Sequence, residues 1–202
     1  MDVRAQLLDA AVNVFAAAGF RGATTRRIAQ VAGVNEVTLF RHFGSKEGLI
    51  MEAIYRSVDA LHTAVRLPDE PLDPAAELLD WTRKHYTFIL EHQRLIQAAM
   101  AEAQARPNMS CVGQRVAEKV DVPLQTYLGR LQELGWCEGD FDPVTAASVL
   151  SGVIFADAMG REVHAHCYQF SEAEAPQRYL DFFLRALRLR AEALTPASQA
   201  VS

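Results

Sequence analysis

Apolar residues return every three or four positions along most of the chain. Leu8, Ala11, Val12 and Phe15 sit at i, i+3, i+4 and i+7, one face of a helix. Gly19 predicts its end. Two short helices follow, from about Thr24 to Ala32 and from about Glu36 to His42. A longer helix begins near Ser45, with Ile50, Ile54, Val58, Leu61 and Val65 as its stripe. Pro68, Pro71 and Pro74 in RLPDEPLDP end it and make a connector. Helical spacing resumes over 75–92, over 93–106 up to Pro107, and over 109–134 with a kink or break at Pro123. After the loop GWCEGDFDP, Asp142 as cap and Pro143 as first residue start a helix to about Cys167. The last runs from about Glu174 to Leu194 and ends in Arg185, Arg188 and Arg190, as the helix dipole favours. The tail TPASQAVS reads as frayed. The expected architecture is all-α, with about nine helices: a three-helix N-terminal unit, a connecting fourth helix and a larger bundle.

Composition narrows the class. With 50% hydrophobic residues in 202, the chain can bury a real core. The N-terminal stretch alternates polar and apolar residues rather than showing a secretory signal, and the uncharged stretch between Asp142 and Asp157 is too short to span a bilayer. The expectation is a cytoplasmic protein with no membrane partner. Cys111, Cys137 and Cys167 are odd in number and form no CxxC pair, which disfavours a disulfide framework.

The net charge of −5 would by itself argue against nucleic acid, but it is unevenly spread. Residues 1–56 carry +2 and the remainder −7, and within 21–46 five basic residues face a single acid, Glu36. Screening acts over about 10 Å, so a local basic patch on an acidic body still attracts phosphates.

That patch coincides with TTRRIAQVAGVNEVTLFRHF. Thr24 and Asn35 are placed to cap the two short helices. Ile28, Ala29 and Ala32 face inward, Gly33 supplies a positive-φ turn, and Val34, Val37, Leu39 and Phe40 give the second helix apolar contacts. The spacing Ala29–Gly33–Leu39 is that of a helix-turn-helix, whose second helix enters the major groove of DNA.

Over roughly residues 5–54, LLDAAVNVFAAAGF followed by GATTRRIAQVAGVNEVTLFRHFGSKEGL resembles the tetracycline-repressor (TetR) family of bacterial transcriptional regulators. The remaining three quarters match only in layout. The resemblance implies a helix-turn-helix domain over 1–48 and an effector-binding and dimerisation domain over 49–202. It also sharpens the roles of single residues. Asn35, Glu36, Val37, Thr38, Arg41 and His42 lie on or near the reading side of the recognition helix. Arg41 reads guanine or holds phosphate, and Thr38 or Val37 meets a thymine methyl. Thr24, Thr25, Arg26 and Lys46, at helix starts, are placed for phosphates. The chain departs from the family in three places. Phe40 stands where tyrosine is usual and removes a phosphate donor. Glu36 either accepts from a cytosine amino group or serves as a helix-start charge. Gly48 stands where a reciprocal capping box would need a longer side chain.

VTAASVLSGVIFADAMG is rich in small residues, which suits either a core helix or a dimer seam. The resemblance implies a four-helix seam using Val149, Gly152, Val153 and Ala156 with Tyr179, Phe182, Phe183 and Leu187. Trp81, His85, Phe88, Met100, Tyr127, Trp136, Phe155 and Met159 are either ordinary core or the lining of an effector pocket between bundle helices. His164, His166 and Cys167 do not share a helix face, and His85 with His92 lacks further ligands, so no metal or other cofactor is expected. No HExxH, GxSxG, phosphate-cradling loop or paired carboxylates suggest an enzyme. The expected function is a homodimeric, sequence-specific DNA-binding regulator. Specifically, it is a repressor released from a palindromic operator on double-stranded DNA by a small, apolar effector. The alternative is a helical ligand- or protein-binding module without specific DNA binding.

Overall fold

The computed structural model describes residues 2–106, 111–164 and 167–190. Helix α1 spans Val3–Gly22 and is capped by the Asp2 carboxylate, which accepts from the Arg4 N–H at 3.0 Å. Its backbone breaks at Gly19, as the sequence predicts: φ is 61°, and a final turn closes when Ala23 N–H donates to Gly19 O at 3.0 Å. Then come α2 (Thr25–Val31), α3 (Glu36–Phe43), α4 (Lys46–Ala64), α5 (Pro74–Glu91) and α6 (Gln93–Ala105). Next are α7 (Cys111–Val116), α8 (Val122–Glu133), α9 (Pro143–His164) and α10 (Ala175–Ala186). The described residues are all-helical apart from loops and one isolated antiparallel bridge.

Two boundaries differ from the sequence expectation. The helix predicted over 109–134 is divided: a π-helical turn, Ala117–Asp121, separates α7 from α8, and Pro123 takes an early helical position where its missing N–H costs nothing. This raises the helix count to ten among the described residues. The last helix stops at Ala186 rather than near Leu194. Arg188 takes φ 51°, and the chain turns to pair with the loop after α8. Glu138 N–H donates to Arg188 O at 3.1 Å, and Arg190 N–H to Trp136 O at 3.0 Å. Arg188 and Arg190 therefore belong to this bridge and not to a helix end. The predicted extension to Leu194, the tail, the start near Met109 and His166 lie outside the described residues.

The described chain divides into two compact units, Met1–Ala60 with His92–Val116 and Leu61–Glu91 with Ala117–Ser202. In the first, Leu7, Phe15, Ile28, Leu39, Leu49 and Ile50 are almost wholly buried, and Leu95 and Ala99 of α6 join the same core. Helix α2 thus rests on α1 and carries α3, and α1 in turn packs along α6. Gly48 is explained here: a Cβ on it would lie 2.8 Å from the Phe43 carbonyl oxygen, so a longer capping residue does not fit without rearrangement.

In the second unit α9 packs against α5, α8 and α10, with Ala147, Leu150, Ile154 and Ala158 fully buried. Its one buried carboxylate among the described residues, Asp157, is held by four donor atoms. Tyr86 and Tyr179 hydroxyls each donate at 2.6 Å, and Arg161 donates through Nε at 2.6 Å and Nη2 at 3.0 Å. Burial alone would raise the Asp157 carboxyl, but the bonds from Arg161, Tyr179 and Tyr86 outweigh it and hold it below the usual value. Over Pro143–Val163, α9 is long and apolar enough to cross a membrane by length and composition, which corrects the expectation that no segment is. Its packing on three helices and the ion pair locked into its inner face mark it as a bundle helix.

Candidate nucleic-acid interface

The turn between α2 and α3 follows from a few residues. The Thr24 hydroxyl oxygen accepts from Arg27 N–H at 3.2 Å, and Asn35 Oδ1 from Val37 N–H at 2.9 Å, so both predicted caps form. Gly33 takes φ 68°, after which Val34 N–H donates to Ala29 O at 3.0 Å. Ile28, Ala29 and Leu39 are buried beneath. What remains outside is the polar edge of α2 and one face of α3. Thr24, Arg26, Asn35, Arg41 and His42 are exposed, Val37 is 73% and Phe40 46% exposed, and Thr38 is half-buried at the edge.

The charge on this face is free. Arg21, Arg26, Arg27 and Arg41 take part in no ion pair among the described residues, whereas Arg4, Arg56, Arg106 and Arg115 of the same unit pair with Glu52, Asp9, Glu102 and Asp59. Unpaired guanidiniums at short-helix edges are what phosphate and base contacts require. In the sequence Arg27 stands out only through the basic count over 21–46. Its exposure follows from the pitch of α2, since Ile28 and Ala29 fix the inward side.

Three of the expected contacts, Thr25, Glu36 and Lys46, have partners outside their own helix. The Thr25 hydroxyl donates to the Glu36 carboxylate, tying the start of α2 to the start of α3. Glu36 is thereby half-buried and engaged, and Thr25 has its hydroxyl hydrogen already committed. Lys46 Nζ donates to Phe20 O at 2.9 Å and lies 3.9 Å from the centre of the Phe20 ring. Arg106 sits 3.9 Å from the same ring centre, so Phe20 is stacked by two cations where α1 breaks. Lys46 retains two further donors for a phosphate. No short-range motif announces these links, because their partners are 11 and 26 residues apart.

The second unit holds the other expected sites. Trp81, His85 and Tyr127 are buried, and Phe88, Trp136, Phe155 and Met159 are half-buried. Met100 belongs to α6 in the first unit and is 50% exposed, so the structure does not place it in that interior. Tyr127 donates to the Glu77 carboxylate and edges a half-open groove of about 560 Å³ with Leu67, Pro68, Val122 and Arg130. Burial pushes the His85 imidazole down to about 4, so it is neutral at pH 7. Trp81 Nε1, Thr82 Oγ1 and His85 Nδ1 are buried with no hydrogen-bond partner among the described residues. Each such group costs about 1–3 kcal/mol.

Of the expected seam, Val149, Gly152, Ala156 and Phe182 are exposed, with Phe182 at 74%, and Val153 is half-buried. Tyr179 is half-buried and bonded to Asp157. Phe183 and Leu187, expected in the seam, are buried inside the unit: the chain turns Phe182 outward and these two inward.

Residues 7–53 match the model of the family described as bacterial regulatory proteins, tetR family. The transcriptional repressor KstR2 of Mycobacterium tuberculosis is 30% identical over 55% of this chain, which spans 58% of that repressor's length. The repressor AcnR of Corynebacterium diphtheriae is 31% identical over 62% of this chain and 74% of its own. Among solved structures, the regulator FadR of Bacillus subtilis, in complex with stearoyl-CoA, has a TM-score of 0.73 at 17% identity, covering 90% of this chain and 98% of its own.

Proposed function

Since the chain belongs to the TetR family of bacterial regulatory proteins, we propose that it is a sequence-specific DNA-binding transcriptional regulator. It acts as a homodimeric repressor on a palindromic operator and is released by a small effector. Residues 1–48 do the reading, and 49–202 sense the effector and dimerise. The observation that carries this reading is the set of unpaired arginines, Arg21, Arg26, Arg27 and Arg41, around a capped recognition helix whose outer face builds no core. Arg41 contacts a base edge or phosphate from α3, Arg26 and Arg27 hold the backbone from α2, and Val37 meets a thymine methyl. Phe40 supplies an apolar contact where the family's tyrosine would donate.

Repression is supported by the names of KstR2 and AcnR, both repressors. A two-fold dimer would present its recognition helices to successive major grooves about 34–36 Å apart. A mostly apolar effector is supported by the buried aromatic interior of the second unit, and by the long acyl chain of the stearoyl-CoA bound to the structurally similar FadR. Such a ligand acts only through its different affinities for the DNA-competent and incompetent states.

Selection of duplexes from a random pool tests the reading. The expected product is an inverted repeat with half-sites about one helical turn apart, and Arg41→Ala should lose that enrichment while keeping the wild-type helical content. A pool that stays random after selection would overturn it and leave a helical module without specific DNA binding.

A further inference from the structure

Three polar atoms stand unmet on a single face of α5: Trp81 Nε1, Thr82 Oγ1 and His85 Nδ1, none with a hydrogen-bond partner among the described residues. All three side chains are more than nine-tenths buried, at 1%, 0% and 6% exposure. Trp81 and His85 are four apart and Thr82 and His85 three apart, so they share the inward side of one turn. The Trp81 and His85 rings meet edge to face with centroids 4.8 Å apart. The same helix satisfies its next polar group: the Tyr86 hydroxyl reaches Asp157. Of the five buried side-chain atoms without a partner among the described residues, two are Arg115 Nε and Ser151 Oγ, and the three on α5 share one turn. Around them the face is apolar, with Leu78 and Ile89 buried one turn away on either side.

We infer that this face binds the carbonyl-type oxygen of an uncharged, otherwise apolar molecule, with the Trp81 indole N–H as the fixed donor and Thr82 and His85 completing its shell. This rests on the effector reading above and names the chemistry of that effector. The indole N–H can only donate, which selects an acceptor. The threonine hydroxyl and a neutral imidazole can each donate or accept, so they adapt to the second lone pair or to a neighbouring group. A carboxylate would need a countercharge. The basic residues of α5, Arg83 and Lys84, are exposed, with Lys84 paired to Asp80, and Arg161 is committed to Asp157. An ammonium ion would meet the wrong end of the indole dipole.

The test uses the full chain labelled with ¹⁵N-tryptophan. It has two indole signals, Trp81 and Trp136, told apart by Trp136→Phe. Cyclohexanone, cyclohexanecarboxylate and cyclohexylamine are titrated separately, one apolar body with three head groups. Cyclohexanone should saturate and move the Trp81 indole proton downfield, and Thr82→Val should weaken it about tenfold, the worth of one hydrogen bond. An unmoved Trp81 signal with all three probes, or a stronger response to the carboxylate or amine, would overturn the inference. Release of DNA is scored separately. A compound that releases DNA with the Trp81 signal unchanged keeps the regulator reading and sinks this site. A ketone that shifts Trp81 without affecting DNA keeps the site and sinks the effector reading.

Discussion

Glu36 shows what a single residue gains from context. In the sequence it is either a base reader or a helix-start charge. In the structure its carboxylate takes the Thr25 hydroxyl and braces α3 against α2. A group so engaged is poorly placed to accept from a cytosine amino group. Glu36→Ala should therefore raise affinity for operator and random duplexes by the same factor, as one carboxylate leaves the phosphate side. A gain on random DNA alone, read by fluorescence anisotropy, would return Glu36 to a reading role. His85 makes a second prediction at this scale. Folded, it resists protonation until about pH 4, against an ordinary value of 6.5. Between those values the unfolded chain binds a proton that the folded chain does not. Stability is therefore full above pH 6.5 and declines as pH falls toward 4, by about 3 kcal/mol. Urea unfolding across that range should show the decline in the wild type and a shallower one in His85→Phe.

Helix positions were legible in the sequence because their signals are local. Thr24, Asn35 and Asp142 cap where their residue types and spacing say they should, and Gly19 and Gly33 turn where predicted. The misread boundaries have non-local causes. α10 ends early because residues 187–190 exchange backbone hydrogen bonds with the Trp136–Gly139 loop, some fifty residues away, and no helical periodicity registers that competition. The Asp157 cluster is of the same kind: it joins α5, α9 and α10, and only the i, i+4 spacing of Asp157 and Arg161 hints at it. Asp157→Asn would leave Arg161, whose side chain is 10% exposed, without its countercharge. We expect a loss of about 3–5 kcal/mol, with part of it recovered in the Asp157→Leu/Arg161→Met double variant, which still leaves the Tyr86 and Tyr179 hydroxyls without their acceptor. Equal destabilisation in single and double variants by chemical denaturation would show that the network matters for packing and not for charge.

At the scale of the whole molecule, the reading face was the most legible part because its chemistry sits within one stretch of about twenty residues. The proposed effector site was not, since the residues expected to line it are spread over helices that only the fold assembles. Phe88 and Phe155 are the same residue type as Phe183, yet only burial separates half-covered positions from core ones. Val149, Gly152 and Ala156 of α9 and Phe182 of α10 are left exposed by the described residues. Phe182→Glu should turn a dimer into a monomer in sedimentation velocity while leaving helical content unchanged, because Phe182 is 74% exposed. A dimer that survives Phe182→Glu unchanged would move the seam elsewhere.

The central claim is that this acidic chain reads a DNA sequence through α3. The direct measurement is binding of the purified protein to a duplex from its own promoter and to a scrambled duplex of equal length, each at low and at physiological salt. The account predicts that both affinities fall with salt as phosphate contacts are screened, while the promoter keeps an advantage of at least about a thousandfold, the lower end for specific recognition. Equal affinities for the two duplexes at both salt concentrations would contradict it.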